Sequence, residues 1–202
     1  GRSLFGSSAA AGSMADQEEL RQLTDRDGVS LPAAIGKHGV DLDRATDAKS
    51  QLGNAGAYLE LHIEQGPVLE SMDLPLGAVL GTFGVERHRV VWRGQAAHAG
   101  STPMDQRRDA LAGAAKLVLE LRHIAERVGG GAVCTSGDVV CSPGIVTSVV
   151  ETAEQLLDQR HLDAETLASM LVDAKERSWQ FAYEEDIEVE CERIWNIEPI
   201  LF

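Results

Sequence analysis

The stretch AVLGTFGVERHRVVWRG, residues 78–94, sets the pattern for the larger part of this chain. Its side chains fall into two alternating sets, Glu86, His88, Val90 and Trp92 on one side and Val85, Arg87, Arg89 and Val91 on the other. Alternation with a period of two is typical of a strand in a sheet that has one face in water. We therefore expect a long strand in a half-exposed sheet.

The next long segment, DALAGAAKLVLELRHIAERV (residues 109–128), has helical periodicity. Apolar side chains recur every three or four positions, as on the buried face of an amphipathic helix. The predicted inward residues are Leu111, Ala114, Ala115, Val118, Leu121, Ala125 and Val128. The glycines at 129–131 should end this helix.

The remaining segments complete a regular series. Strands are expected in AVCTSGDVVC (132–141) and in GIVTSVVETAEQLLDQR (144–160). A second helix should start at the N-cap Asp163, and a last strand is expected in DIEVECERIW (186–195). The inward residues of this second helix would be Leu167, Met170, Leu171 and Ala174. The order β-α-β-β-α-β predicts a complete ferredoxin-like α+β domain over residues 78–200.

The residues before this domain follow a different pattern. Helices are expected over 14–25, after the N-cap Ser30 and around 42–51. The segment LELHIEQGPVLE (59–70) begins with a nearly continuous apolar run, which is typical of a strand buried on both faces of a helix-covered parallel sheet. Residues 1–77 should therefore be part of an α/β domain, with a boundary near residue 77.

Composition limits the classes of partner. The 202 residues are 44% hydrophobic and carry 18 Lys plus Arg against 32 Asp plus Glu, for a net charge of -14, so nucleic acids and anionic membranes are unexpected partners. The three cysteines form no C-x-x-C pair, which favours structural thiols in a reduced, cytoplasmic protein. There is no membrane-spanning run or signal peptide pattern. The start at Gly1, in a Gly/Ser/Ala-rich loop, suggests a piece of a longer protein.

His62 and Glu64 stand near the end of the strand predicted in AYLELHIEQG (57–66). The carboxyl ends of strands in open α/β sheets are where ligands and catalytic groups lie, so His62 is a candidate metal ligand. The alternative is a histidine hydrogen-bonded in the core. Glu64 would point the same way only if the strand continued that far, and its role stays open.

His98 lies among small residues in GQAAHAGSTPMDQRRDA (94–110), between a strand and the long helix. Small neighbours allow a substrate or another backbone to approach the imidazole closely. The alternative is an ordinary surface-loop histidine, and the residues before Pro103 could simply start a helix.

Asp158 and Arg160 fall on one face of the strand in LLDQRHLD (156–163). The planar guanidinium fork of Arg160 suits a substrate carboxylate, but a structural pair with Asp158 is the equal alternative. The sequence has no Gly-rich phosphate loop, no G-x-S-x-G and no cysteine nucleophile signature.

Four motifs, in this order and spacing, resemble the hydantoinase/carbamoylase family of zinc amidohydrolases: HIEQGPVLE, GQAAHAGSTPM, RRDA and DQRH. The family includes N-carbamoyl-L-amino acid hydrolases, β-ureidopropionase and allantoate amidohydrolase, within the superfamily of aminoacylase-like metallopeptidases. The resemblance extends over essentially the whole chain. It implies a two-metal α/β catalytic domain, of which residues 1–77 are a part, and a βαββαβ lid and dimerisation domain.

The resemblance also implies roles for single residues. His62 would be a zinc ligand, Gln65 a substrate contact and Arg160 the clamp on the substrate carboxylate. His98 would be the lid histidine that reaches the partner subunit's active site and stabilises the developing oxyanion. Two metals would activate the attacking water, with Zn²⁺ implied and Mn²⁺, Co²⁺ or Ni²⁺ as alternatives.

The sequence departs from the family at two places. It holds one of the expected metal ligands, so we expect the chain alone to be inactive and to bind zinc weakly. Thr147 stands where the family has an asparagine that touches the substrate, so substrate recognition should differ. Two alternative functions stay open: an aminoacylase or dipeptidase of the same superfamily, and a non-catalytic dimerisation module.

Overall fold

The structure is a computed structural model that describes residues 4–14, 16–25 and 27–202. The chain divides into two compact units, Gly1–Met72 and Asp73–Phe202. The sequence predicted a boundary near residue 77, close to this division.

The first unit consists of short helices. They are α1 (Phe5–Ala11), α2 (Gln17–Gln22), α3 (Leu31–Gly36), a 3₁₀ helix (Leu42–Leu52) and α4 (Val68–Ser71). Side-chain caps explain several of the starts, because Asp16 accepts a hydrogen bond from the Glu18 amide and Ser30 accepts one from the Ala33 amide. The helix expected over 14–25 is therefore shorter, and the one expected around 42–51 is a 3₁₀ helix.

The strand predicted at the start of 59–70 is wrong for this structure. Residues 57–65 form no strand, and the side chains of Leu59, Leu61 and Ile63 are 97%, 88% and 74% exposed. A strand is stabilised by backbone hydrogen bonds to a neighbour, and the described residues of the first unit contain no other strand to provide them. The apolar segment therefore has no neighbouring strand with which to form a sheet.

The second unit has the predicted alternation of long strands and helices. Its strands are β1 (Gly81–Thr82), β2 (Gly84–Arg93), β3 (Ala97–His98), β4 (Val133–Ser142), β5 (Ser148–Val149), β6 (Thr152–His161), β7 (Glu188–Ile197) and β8 (Ile200–Leu201). A 3₁₀ turn (Met104–Gln106) precedes α5 (Ala110–Val128), and α6 (Ala164–Glu184) joins β6 to β7. The long strands form an antiparallel sheet in the order β4-β6-β2-β7, and the short ones pair as β1-β8 and β3-β5.

Both long helices pack on one face of this sheet, around Trp92. The indole is fully buried, and its Nε1–H donates to Gln155 Oε1 at 3.1 Å. The Gln155 amide in turn donates to Ser136 Oγ at 3.1 Å. A large apolar ring with a satisfied N–H can thus occupy the centre of the core without an unpaired polar group.

The inward face of α5 agrees with the prediction at Ala114 and Leu121, which are buried, and differs from it elsewhere. Ala110, Gly113 and Leu117 are buried, whereas Leu111 and Val118 are 40% and 38% exposed. A Cβ on residue 113 would lie 2.8 Å from Trp92 Cε3, so the ring packs directly against the helix backbone there. The apolar pattern could not show this, because a glycine contributes no apolar side chain to the stripe. On α6 all four predicted inward residues, Leu167, Met170, Leu171 and Ala174, are buried.

The two faces of β2 follow the predicted alternation at the arginines but not at Val85 and Val91, which were predicted on the exposed face and are each 7% exposed. Glu86 and His88 are buried on the helix side, whereas Arg89 and Arg93 on the other face are exposed. Burial, followed by the charges of Lys175 and Arg193, lowers the pKa of His88 to about 4. His88 is therefore a neutral packing residue at physiological pH.

The three cysteines are free thiols of the second unit. Burial raises the pKa of Cys134 and Cys191, so neither is a ready nucleophile. Within the part of the chain that the structure describes, no helix is long and apolar enough to cross a membrane.

Candidate functional site

His62 lies exposed in the extended segment before α4. Its Nδ1 contacts the backbone carbonyl oxygen of Ile63. A carbonyl can only accept, so Nδ1 carries the proton and Nε2 is left with a lone pair directed elsewhere. Metal-bound histidines commonly use one ring nitrogen for the metal and donate the other N–H to such an acceptor.

Glu64 has a structural role in this conformation. Its Oε1 accepts a hydrogen bond from the Val68 amide at 3.0 Å, and its Oε2 accepts one from the Leu69 amide at 3.1 Å. The carboxylate thus caps the first turn of α4, where unpaired N–H groups favour a negative charge. This cap answers the question left open for Glu64, because its oxygens are directed to a helix start.

Gln65 follows in the left-handed region, with a φ of 56°, and its side chain is exposed. His62 and Gln65, the predicted ligand and substrate contact of the first unit, are therefore three residues apart at the end of the extended segment before α4. Among the described residues, no group of three or more His, Cys, Asp or Glu side chains is arranged to hold a metal. The first unit also contains His38, and among the described residues neither imidazole belongs to such a group.

His98 ends strand β3 in the second unit and is exposed. It pairs with Ser148 of β5, and the next amide, that of Ala99, donates to the Thr147 carbonyl at 3.0 Å. The Gly100 amide donates to His98 Nδ1 at 3.1 Å. Nδ1 is therefore the acceptor, and the proton of the neutral ring lies on Nε2. The geometry makes His98 an exposed N–H donor beside Thr147.

A shallow cavity of about 390 Å³ lies next to the same loop. The loop contributes Ala99 and Arg107 to its wall, and β5 contributes Ser148 and Val149. The side chain of Asp109 also lines it. Polar and apolar groups therefore meet at this edge of the second unit.

Arg160 and Asp158 form the ion pair that the sequence left as one of two alternatives. Arg160 Nε lies 2.7 Å from Asp158 Oδ1, and Arg160 Nη2 lies 3.2 Å from Asp158 Oδ2. Arg87 of β2 binds the same carboxylate, with Nε 2.7 Å from Oδ2, and its guanidinium lies 5.0 Å from the ring centroid of Trp195. One carboxylate thus holds two arginines on the face of the sheet away from the helices.

The charges in this trio shape the ionisation of Asp158. Burial alone would raise its pKa, but hydrogen bonds from Arg160 and Arg87 outweigh burial and hold the pKa below its ordinary value. The trio keeps one net positive charge. Arg160 is 42% exposed, and its guanidinium has N–H groups that Asp158 does not use.

Two arginines of these sites were not singled out from the sequence. Arg87 shares the outward face of β2 with Arg89, and its pairing opposite Asp158 in the sheet register could not be read without strand order. Arg107 begins the motif RRDA, but the sequence did not show that it binds the backbone of the His98 turn across several residues of loop. Within the described residues, His98 and Arg160 share no hydrogen bond.

The sequence and the fold are similar to those of known proteins. No family model matches the chain. The chain is 36% identical over 198 residues to N-carbamoyl-L-amino acid amidohydrolase from Geobacillus stearothermophilus, covering 98% of this chain and 48% of that protein. It is 31% identical over 187 residues to allantoate amidohydrolase from Escherichia coli, covering 93% of this chain and 45% of that protein.

A solved structure matches in the same way. It is an amidase of the hydantoinase/carbamoylase family from Burkholderia multivorans, with a TM-score of 0.79 and 28% identity over 100% of this chain and 48% of that one. In both fold and sequence the chain is thus similar to part of proteins named as amidohydrolases and amidases. The chain is a homologue of the hydantoinase/carbamoylase family amidases, as its motifs indicated, and spans about half the length of the curated relatives it matches.

Proposed function

We propose that this chain is a portion of a metal-dependent amidohydrolase that cleaves a linear, non-peptide C–N bond in an N-carbamoyl or ureido amino-acid-like substrate. The observation that carries the proposal is the match along 98% of the chain to an N-carbamoyl-L-amino acid amidohydrolase. The positions of His62, His98 and Arg160 support it, because each offers the chemical group that its role requires.

The two units suit two roles in this enzyme. We assign residues 1–77 to the α/β catalytic domain and residues 78–200 to a ferredoxin-like lid. The sheet order β4-β6-β2-β7, with α5 and α6 on one face, supports the lid assignment. The extended apolar segment 57–65 supports the first assignment, since its composition suits a strand of a larger sheet.

His62 is the residue that would hold a metal. Its exposed imidazole directs the unprotonated Nε2 away from the Ile63 carbonyl, which suits one ligand of a Zn²⁺ site; Mn²⁺, Co²⁺ or Ni²⁺ would also accept imidazole. A metal in such a site activates water and polarises the scissile carbonyl. A single described ligand is fewer than the three or four a zinc site needs, so the chain alone should be inactive.

His98 and Arg160 would bind two polar groups of the substrate, its neutral scissile carbonyl and its carboxylate. The Nε2–H of His98 can donate to the carbonyl oxygen, and this bond strengthens as negative charge develops there. Arg160 can receive the substrate carboxylate through the N–H groups that Asp158 leaves free. We assign Gln65, which is exposed three residues after His62, as a further substrate contact.

We also propose a homodimer formed through the lid, with His98 serving the partner's active site. Strand β4 lies at an edge of the four-stranded sheet, and its Val133 and Val140 are 47% and 61% exposed. An edge strand with exposed apolar side chains is a ready pairing surface for a second copy. Three free thiols support a reducing compartment, for which the cytoplasm is our assignment.

The test is hydrolysis by the protein that contains this chain together with the remaining catalytic residues. N-carbamoyl amino acids, allantoate-like ureides, N-acyl amino acids and dipeptides should be assayed side by side. Ureido substrates should be preferred, and a preference for N-acyl or dipeptide substrates would favour the aminoacylase or dipeptidase reading. No turnover on any of these substrates would favour the alternative of a non-catalytic dimerisation module.

Substitution of His98 tests the proposed donor. His98→Ala should lower kcat by about two to three powers of ten, the usual effect of losing one oxyanion donor, with the dimer intact. His123→Ala is the matched control, because His123 is exposed on α5 and bonds only with Glu120. Equal turnover of the two variants would remove His98 from the mechanism.

A further inference from the structure

The turn that follows His98 closes tightly on itself. The Thr102 amide donates to the His98 carbonyl at 3.1 Å, and the Ser101 amide donates to the same oxygen at 3.3 Å. The amide of Gly100, which precedes both along the chain, is directed at the imidazole and reaches Nδ1 at 3.1 Å. The backbone of residues 98–102 therefore wraps around the side chain of its own first residue.

Gly100 allows the ring to lie this close. A Cβ on residue 100 would stand 3.2 Å from His98 Cε1 and 3.5 Å from Nδ1. The first of these distances is shorter than ordinary contact, so the ring would have to shift by a few tenths of an ångström relative to the amide. Gly100 is not among the glycines with positive φ, so an alanine could adopt its backbone conformation.

Arg107 fastens the turn from outside. Its Nη2 donates to the Ala99 carbonyl at 2.7 Å, and both its Nε and Nη2 lie 3.1 Å from the Thr102 carbonyl. These two oxygens stand on either side of the Gly100 amide along the chain. The half-buried guanidinium thus holds together the ends of the segment that carries the donor to His98.

The partners of Arg107 are unusual for this acidic chain. Within the residues that the structure describes, no carboxylate forms an ion pair with it, whereas its neighbour Arg108 pairs with Asp186 at 2.6 Å. A guanidinium that binds two backbone carbonyls instead of a counter-ion is used for its fork geometry. Its role is therefore to fix the path of the turn.

We propose that Arg107 and Gly100 are positioning residues that hold the His98 imidazole as its Nε2–H tautomer, with that N–H presented outward. Arg107 fixes the turn, the turn presents the Gly100 amide, and the amide occupies Nδ1. This inference rests on the proposed function for what the Nε2–H donor acts on. The tautomer itself is a property of this chain and can be measured without any substrate.

The test is long-range ¹H–¹⁵N NMR on the full 202-residue chain labelled with ¹⁵N-histidine. At about pH 8.5, well above the ordinary imidazole pKa, the shifts of the two ring nitrogens report which one carries the proton. The His98→Gln variant assigns the His98 signals by their disappearance. Wild-type His98 should be dominated by the Nε2–H form.

Three variants then separate positioning from general stability. Arg107→Met should reduce the ratio of Nε2–H to Nδ1–H tautomer by about fivefold, the change expected when one neutral hydrogen bond is lost. Gly100→Ala should reduce it similarly by displacing the ring. Arg107→Lys should restore part of the ratio, because an ammonium can still donate to both carbonyls.

Arg108→Met is the matched control, since it removes the adjacent arginine and a surface ion pair. Its tautomer ratio and its circular dichroism should equal those of the wild type. An unchanged ratio in both Arg107→Met and Gly100→Ala would overturn the proposal, as would an equal change in Arg108→Met. If the ratios move as expected while the parent protein hydrolyses none of the substrates, the proposed function fails and the positioning role stands.

Discussion

Replacing Leu117 by alanine tests the packing of α5 against the sheet. Leu117 is fully buried and lies one residue before Val118, which the apolar pattern placed inward but which is 38% exposed. Removing three carbon atoms from a fully buried leucine forfeits about 2.4 kcal/mol of transfer free energy at about 0.8 kcal/mol per carbon. The cavity that remains adds to this, so we expect a loss of about 3 kcal/mol in the free energy of unfolding.

The matched control is Leu119→Ala, the same chemical change two positions further along α5. Leu119 is 70% exposed, so less than a third of the transfer term applies and the greater helix propensity of alanine offsets part of it. The expected loss is within about 0.5 kcal/mol. The two variants thus differ in burial and in little else.

Urea unfolding followed by tryptophan fluorescence is the assay. All three tryptophans, Trp92, Trp179 and Trp195, belong to the second unit, so the signal reports on that unit alone. Leu117→Ala should also lower the melting temperature of the second unit by about 10 °C. A Leu117→Ala loss below about 1 kcal/mol, or a Leu119→Ala loss of equal size, would show that α5 buries a different face.

Three further predictions concern charge. The pKa of buried His88 is about 4 in the folded chain, against about 6.5 in the unfolded chain. The chain should therefore lose up to about 3 kcal/mol of stability as the pH falls from about 6.5 to about 4. Urea titrations at several pH values should show a flatter profile of stability against pH for His88→Gln. The pKa of Asp158 is lowered in the folded chain, so Asp158→Asn should be destabilising at pH 7. The difference in free energy of unfolding between this variant and the wild type, measured by urea titration, should shrink once the pH falls below about 4. Calorimetric titration with Zn²⁺ should give binding weaker than micromolar for the chain alone, and tighter binding would mean that further ligands join His62.

The second unit followed from the sequence because each of its signals is local. Period-two alternation in β2, the cap at Asp163 and the apolar stripe of α6 each depend on residues near one another in the chain. These signals predicted the order of strands and helices and the inward residues of α6. The rotation of α5 was missed because its apolar residues fit two neighbouring faces, and the prediction took the one through Val118 instead of the one through Leu117 and Ile124. The close approach of Trp92 to Gly113 could not be predicted, because a glycine adds no side chain to the apolar pattern.

The candidate sites were less predictable, because their contacts join distant residues. Asp158 lies opposite Arg87 across two strands, and Arg107 reaches back along a loop to Ala99. The sequence left Arg160 as either an anchor or a paired residue, and the structure shows the pair with Asp158. Glu64 illustrates the same limit, since only the start of α4 reveals what its carboxylate binds.

The extended segment 57–65 has a consequence for how the chain behaves at high concentration. Leu59, Leu61 and Ile63 are exposed on a stretch of backbone that belongs to no sheet. Such a stretch is a template onto which the same segment of another molecule can add as a strand, although Glu60, Glu64 and the net charge of -14 oppose the addition. Self-association should therefore begin at this segment, and charged residues introduced at 59 and 61 should raise the solubility limit of the chain.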